Sequence, residues 1–329
     1  MTTTLTPARP SLRGPARVVV RQHRLTLWIV GGLALAAVVG MIALALRSSH
    51  VAEVFEATDC RVDGGAGRAC DQTTRNYLDS MVTYRVIFEY VASGLTVLPV
   101  LFSVFVAGPL IARELESGTF RMAWTQSVSP TRWLVAKLAV PTMLLLAVTA
   151  VVTAVLARAR PHGNTPYPVQ WHDAHTFSGS GVLPLAHVMF GTAVGALTAL
   201  LIRRVIPAMT VSALATGAAV TFFTYWRAEL WPSRTVSGTT LNAKEGMWWV
   251  ETGHITGAGE RLPQDVCASG ASATDYARCM ADHDVTSHYL DYHPASHFWP
   301  LQLVETGILL VLAAVALAVA FRVLRRLHG

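Results

Sequence analysis

The sequence predicts an all-α polytopic membrane protein with six transmembrane helices, cytoplasmic N and C termini, and a small disulfide-stapled extracellular cap. Three observations predict this fold. Of the 329 residues, 52% are hydrophobic and only 14% are charged, whereas soluble domains carry about 25% charged residues. Six stretches are long and apolar enough to cross lipid. The basic residues fall in alternate connecting segments, as the positive-inside rule describes.

The six predicted spans have the length that an α-helix needs to cross a hydrocarbon core about 30 Å thick. Lipid offers the backbone no hydrogen-bond partners, so each span must satisfy its own polar groups as a helix. The sixth span contains one acid, Glu305. The spans are predicted at residues 27–46, 88–112, 135–157, 182–202, 205–226 and 299–321.

The charge distribution predicts the orientation. One side of the predicted membrane carries fourteen basic residues and two acids, Glu114 and Glu116, a net charge of +12. The loops of the other side carry twelve basic and seventeen acidic residues. The positive-inside rule places the first side in the cytoplasm, with an N-terminal arm at 1–26 and a segment at 113–134. The overall charge of +6 therefore reflects topology, and no nucleic-acid partner is expected.

The outer loops, at residues 47–87, 158–181 and 227–298, contain all four cysteines. This side is predicted to be oxidising, which favours disulfides. Three connectivities are possible, and we expect the local pairs Cys60–Cys70 and Cys267–Cys279. With these bonds, the first and third loops would form the small cap.

Motifs for catalysis are scarce. No G-x-x-x-x-G-K-[ST] sequence occurs, so the chain has no P-loop of its own. The H-E-x-x-H and G-x-S-x-G motifs are also absent. We expect no catalytic residue, no bound metal and no cofactor in this chain. The spacing of His172, Asp173 and His175 keeps a metal-dependent membrane enzyme as an alternative, and a non-transporting membrane sensor or assembly protein is another.

The most informative inner segment is 111–137, with the sequence IARELESGTFRMAWTQSVSPTRWLVAK. Its apolar and charged residues alternate as in an amphipathic helix lying at the interface. Gly118 can end one helix, and Ser129 with Pro130 can start the next. The alternative is a plain interfacial loop that anchors two spans.

Several stretches of this chain resemble the ABC-2 type transporter permease family, in its high-GC bacterial branch. The strongest are 112–119 (ARELESGT), 125–129 (TQSVS) and 132–137 (RWLVAK). Others are 191–197 (GTAVGAL), 203–209 (RRVIPAM) and 294–305 (PASHFWPLQLVE). The resemblance covers most of the chain, and the outer loops match least.

The resemblance implies a permease half that pairs with a second copy, as a homodimer, and docks on two copies of a separate ATPase, which would bind ATP and Mg. It implies an amphipathic connecting helix in the N-terminal arm. It also implies that the segment after span two couples this chain to the ATPase, although Glu114 and Glu116 could instead be solvated interface charges. The expected coupling residues are Arg113, Glu114, Glu116, Gly118, Thr119 and Arg121.

Aromatic side chains in spans two and five are the candidates for a substrate pathway. They suggest an apolar or amphipathic substrate (a drug, a lipid or a peptide-like compound). The capped outer side, which lacks a soluble binding-protein domain, favours export, and the predicted location is the bacterial cytoplasmic membrane. The pathway residues expected are Phe102, Phe105, Phe222, Phe223 and Tyr225.

Two features inside the spans leave alternatives open. Glu305 is costly at the centre of a bilayer, so it either reaches towards the outer interface or makes a polar contact within the bundle. Gly191, Gly195 and Ala199 form a small-xxx-small series that permits close helix packing. Such packing can lie inside one six-helix unit or between two copies.

Overall fold

The structure, a computed structural model, describes residues 24–62, 70–120, 129–162, 166–241, 246–268 and 272–327. Within these ranges, six helical segments are long and apolar enough to cross a membrane. The predicted fold class is confirmed, since the chain is a mostly helical, multi-pass membrane protein. The side on which the termini lie stays a prediction.

Each membrane segment is a helix with few interruptions. The second is the longest, because α2 continues through a π-helical turn, Ser103–Ala107, into α3. The helices of the membrane segments are α1 (Arg24–Glu56), α2 (Asp71–Phe102), α3 (Gly108–Ser117), α4 (Pro130–Ala159), α6 (Leu183–Ile202), α7 (Val205–Trp226) and α9 (Phe298–Arg326). Short helices α5 (Ala174–Ser178) and α8 (Ala273–Asp282) lie in the connections.

The first two helices run beyond the predicted spans. α1 continues past residue 46 to Glu56, and α2 begins at Asp71. The Cys60–Cys70 disulfide closes the short connection between them. Below it, the ring of Phe55 stacks on that of Tyr77 with 4.2 Å between centroids. Much of the predicted first outer loop is therefore a helical hairpin.

Helix α6 is the central helix of the bundle. All but five of its 20 residues are buried, and it packs against α2, α3, α4, α7 and α9. Its glycines permit close approach to the second segment. A Cβ atom on Gly195 would lie 2.8 Å from the Cβ of Ala107, and one on Gly191 would lie 2.7 Å from the carbonyl oxygen of Pro99. The small-residue series therefore packs inside the six-helix unit.

The third of the predicted outer loops folds into a four-stranded antiparallel sheet, which the sequence pattern does not predict. The strand order is β1-β4-β2-β3. Helix α8 lies before the last strand and carries Cys279, which is bonded to Cys267. Both predicted local disulfides are thus present. The strands are β1 (Arg234–Gly238), β2 (Trp248–Thr256), β3 (Arg261–Pro263) and β4 (Val285–His293).

Candidate functional site

The segment after the second span is a defined helix, α3. Ile111, Ala112 and Leu115 are buried in the bundle, whereas Arg113 is exposed. The helix ends at Gly118, whose φ of +72° lies in the left-handed region that only glycine adopts without strain. The amphipathic pattern and the glycine together place the polar face of α3 at one end of the bundle.

Glu114 joins α3 to the start of α4. Its Oε2 accepts a hydrogen bond from Nε1 of Trp133 at 2.9 Å, and its Oε1 accepts one from Nζ of Lys137. The Lys137 ammonium also lies 5.7 Å from the centroid of the Trp133 ring. Bonds to ionised groups are stronger than neutral ones, so this contact fixes α3 against α4.

Glu116 joins α3 to the start of α7. Its Oε2 accepts a hydrogen bond of 2.9 Å from the backbone N–H of Val205, the first residue of α7. The first N–H groups of a helix have no partner within it, and a negative charge is favourable there. A tight turn precedes this point, with Arg203 at a φ of +58°. The two carboxylates of α3 therefore contact two different spans.

A cleft of about 410 Å³ opens beside α3. Its wall combines apolar side chains with the charged side chains of Arg113, Glu114 and Lys137. This lining suits a molecule that has both an apolar part and a polar group. The lining residues are Phe105, Val106, Pro109, Leu110, Arg113, Glu114, Lys137, Val205 and Met209.

The aromatic residues predicted to form a pathway do not share one surface. Phe105 lines the cleft. Phe222 and Tyr225 are exposed on α7. Phe102 and Phe223 are buried in two separate hydrophobic clusters of the bundle. Their role in a pathway stays a prediction.

The other predicted coupling residues lie next to this polar face, as far as the structure describes them. Arg113 reaches the cleft, and the Thr119 hydroxyl lies 2.9 Å from that of Ser117, just past the helix end. Arg121 and the arm at 1–23 are outside the described residues. The sequence does not predict the partners of Glu114. Trp133 and Lys137 lie one helical turn apart near the start of the next helix, so their side chains lie on the same face of that helix.

A buried ion pair lies at the opposite end of α7. The Arg227 guanidinium donates to both oxygens of Glu305, through Nε at 2.8 Å and Nη2 at 3.2 Å. Nη2 also donates to the Ser178 hydroxyl at 2.9 Å, and the guanidinium carbon lies 4.2 Å from the centroid of the Phe177 ring. Arg227 is 2% exposed and Glu305 is 0% exposed. Glu305 therefore makes a polar contact within the bundle.

Arg227 was not singled out from the sequence. It directly follows the fifth span, and Glu305 lies near the start of the sixth. Arg227 and Glu305 carry opposite charges at a similar depth in consecutive spans. This pattern could have predicted that the two residues form a pair.

Among the described residues, His172, Asp173 and His175, whose spacing kept a metal-dependent enzyme as an alternative, do not form a cluster of three ligands. His172 stacks on Trp248, with 6.0 Å between ring centroids, and burial lowers its pKa. Asp173 pairs with Arg85 at 3.5 Å, and burial raises the pKa of Asp173 while Arg85 opposes the shift. His175 is exposed.

Within the described residues, one group of three possible metal ligands comes together, Cys267, Cys279 and His283. The two cysteines form a disulfide, so their sulfurs are not free to bind a metal.

Comparisons with known proteins give one result. A family model described as ABC-2 membrane transporter related matches residues 31–227. The match spans the first five membrane segments and ends at Arg227, before the sheet. No curated protein and no solved structure matches this chain.

Proposed function

Because this chain belongs to the ABC-2 membrane transporter related family, we propose that it is the permease subunit of an ATP-driven exporter. It moves an apolar or amphipathic molecule out of the cell or the membrane. The observation that carries this proposal is the pair of bonds that join α3 to α4 and α7. The chain itself catalyses no reaction in this account.

The energy comes from a separate subunit in this proposal. The sequence contains no P-loop, so ATP and Mg bind to a partner ATPase, in two copies for a permease dimer. Docking requires an accessible polar surface on the cytoplasmic side. The exposed Arg113 and the residues around Gly118 supply one, and Arg121 extends it along the sequence.

The bonds of α3 explain how docking moves the membrane segments. A force on α3 reaches α4 through Glu114 and α7 through Glu116, over distances of a single hydrogen bond. It also reaches α2, because α3 continues from that helix through the π-helical turn. π-Helical turns often occur at functional sites. Closure of the ATPase would thus shift three spans together.

The cleft supports the proposed class of substrate. Phe105, Leu110 and Met209 supply apolar contact, while Arg113 and Lys137 supply positive charge beside the Glu114 carboxylate. An apolar or amphipathic drug, lipid or peptide-like molecule matches this combination. The cleft is lined by the π-helical turn, α3, α4 and α7, so it lies beside the segments that α3 would move.

We propose that the permease acts as a homodimer. Helices α2 and α7 expose large apolar side chains, among them Tyr90, Leu101, Ile206, Leu214 and Tyr225. Such surfaces in a membrane contact lipid or another helix. With a second copy against this face, the two clefts would lie on either side of a shared route. The proposed location is the bacterial cytoplasmic membrane.

Purification of the full chain from its native membrane in mild detergent tests the proposal. We expect a soluble P-loop ATPase to co-purify, and Arg113→Ala to reduce its recovery. Arg325→Ala is the matched control, because Arg325 is exposed at the end of α9 on the same predicted side. Purification without any ATPase, in a preparation that retains its fold, would contradict the proposal and favour a sensor or assembly protein.

A further inference from the structure

Two histidines face each other across the outer sheet. His254 on β2 and His288 on β4 are directly paired residues of neighbouring antiparallel strands. Their Nδ1 atoms lie 2.8 Å apart, and their ring centroids lie 4.9 Å apart. Side chains paired in this way lie on the same face of a sheet. The two Nδ1 atoms therefore face each other within hydrogen-bond distance.

The other contacts fix the proton on each ring. The Nε2 of His254 lies 3.3 Å from the carbonyl oxygen of Gln264. A carbonyl oxygen only accepts hydrogen bonds, so Nε2 of His254 carries the proton and its Nδ1 has a free lone pair. The Nδ1 of His288 then donates its proton to that lone pair.

This orientation is the one that metal-binding histidines adopt. Such a histidine donates its second ring N–H to a carbonyl or carboxylate, which fixes the tautomer and aims the other nitrogen at the ion. His254 has this arrangement through Gln264. We propose that His254 and His288 bind one divalent transition-metal ion, Cu²⁺, Ni²⁺ or Zn²⁺, through their Nδ1 atoms.

The spacing fits this class of ion. Two nitrogens at about 2.0–2.1 Å from a metal lie about 2.9 Å apart when the angle at the metal is 90°. The observed 2.8 Å between the Nδ1 atoms matches adjacent positions of a square or octahedral site, the geometries that Cu²⁺ and Ni²⁺ favour. Tetrahedral Zn²⁺ needs a distance of about 3.3 Å between the two nitrogens. The two strands would have to move slightly apart to accommodate it.

The ion takes the place of one shared proton. On binding, the proton on Nδ1 of His288 moves to Nε2 of the same ring, so both Nδ1 lone pairs become ligands. No proton is released when both rings start neutral. His288 is partly exposed, which leaves one side of the ion open to water ligands and to exchange with solution.

A second histidine pair provides a contrast. The Nδ1 atoms of His293 and His297 lie 2.9 Å apart, and Nε2 of His293 lies 3.0 Å from the carbonyl oxygen of Ala228. Both residues are buried. Because that pair has no open side, its role is an internal hydrogen bond. In the proposed site His254 is also buried, at 4% exposed, and the open side is that of the partly exposed His288.

This inference is independent of the proposed transport function, and it is tested on the full chain purified in detergent through a tag without histidines. Titration calorimetry with NiCl₂, ZnCl₂ or CuCl₂ alone measures binding. We expect one ion per chain, an affinity that falls about tenfold or more in His254→Ala and in His288→Ala, and no change in His175→Ala. His175 is an exposed histidine of another outer loop.

A second measurement does not depend on variants. The electron paramagnetic resonance spectrum of the Cu²⁺-loaded wild-type protein should show hyperfine coupling to two imidazole nitrogens. The same ion should raise the melting temperature of the outer sheet, because it joins β2 to β4. Absence of stoichiometric binding, binding retained in both variants, or a spectrum without nitrogen coupling would each overturn the proposal.

Discussion

The Glu116 carboxylate accepts a hydrogen bond of 2.9 Å from the backbone N–H of Val205. This contact joins the helix after the second span to the first residue of the fifth span. The neighbouring Glu114 holds the same helix to α4. Helix α3 is therefore bonded at two points to segments that are far apart in the sequence, which is what a coupling element requires.

Removal of the Glu116 carboxylate should loosen the start of α7. A surface charge at a helix N-terminus is worth about 0.3–1 kcal/mol, so we expect the Val205 amide to exchange with deuterium about two- to fivefold faster in Glu116→Ala. Glu116→Gln keeps an acceptor oxygen but loses the charge, so its Val205 amide should exchange at a rate between those of the wild type and Glu116→Ala. Equal exchange rates in wild type and Glu116→Ala would refute the role of this bond.

Disruption of the buried pair between Arg227 and Glu305 should strongly destabilise the outer end of the bundle. Glu305→Gln leaves the guanidinium without its counter-charge, and loss of one partner of a buried pair costs about 3–5 kcal/mol. Thermal unfolding in detergent measures the loss. A double variant, Arg227→Met with Glu305→Met, should recover much of it, because two apolar side chains need no partners.

The control for this pair is Glu229→Gln, which changes an exposed acid two residues from Arg227. It should unfold like the wild type. A Glu305→Gln protein as stable as this control would show that the ion pair contributes little to stability.

Helix packing at Gly195 gives a third prediction. A Cβ atom there would lie 2.8 Å from Ala107 and 2.9 Å from the backbone oxygen of Ser103. Overpacking of this kind costs about 1–3 kcal/mol, so Gly195→Ala should lower the melting temperature. Gly217→Ala on α7 meets no atom within 4 Å and should be neutral or slightly stabilising. The same loss in both variants would mean that close packing is not the cause.

The outer region should lose stability in mild acid. Burial lowers the pKa of His172 and His293 below the usual value of 6.5. Below that pH the unfolded chain binds protons at these sites that the folded chain resists, so the free energy of unfolding falls as the pH falls. Above that pH these histidines are neutral in both the folded and the unfolded chain, so their effect on the free energy of unfolding no longer changes with pH. Burial also raises the pKa of Asp173 above its usual value of 3.8, so the folded chain takes up this proton before the unfolded chain does as the pH falls, and this group opposes the trend.

Tryptophan fluorescence can follow this unfolding, since Trp171 and Trp248 lie against His172. We expect a lower melting temperature at pH 5 than at about pH 7.5. His172→Phe keeps the stacking on Trp248 without the titrating group and should reduce the difference, while His175→Phe should leave it unchanged. An identical pH dependence in all three proteins would contradict the assignment to His172.

The membrane helices could be predicted because lipid imposes a simple rule on the sequence. About twenty apolar residues are needed to cross it, and each of the six stretches forms a helix. The local disulfides could also be predicted, because each joins cysteines only ten or twelve residues apart. The extension of α1 to Glu56 could not be predicted, since that part of the helix is polar and is held by packing on α2.

The contacts that the sequence does not reveal join residues that are far apart in the chain. Glu116 and Val205 are 89 residues apart, and Arg227 and Glu305 are 78 apart. The partner of Glu116 is a backbone group, which leaves no trace in the residue type. The sheet pairs β2 with β4 across an intervening helix, so the facing histidines His254 and His288 have no recognisable spacing.

Coupled transport in vesicles tests the central claim, that α3 transmits work between the partner ATPase and the spans. The permease and its ATPase are reconstituted, and substrate uptake and ATP hydrolysis are measured together. Glu114→Ala with Glu116→Ala should keep the ATPase bound and hydrolysing, while substrate moved per ATP falls sharply. Glu53→Ala with Glu229→Ala, which alters two exposed acids elsewhere, should transport normally. Wild-type transport per ATP in the α3 double variant would contradict the account.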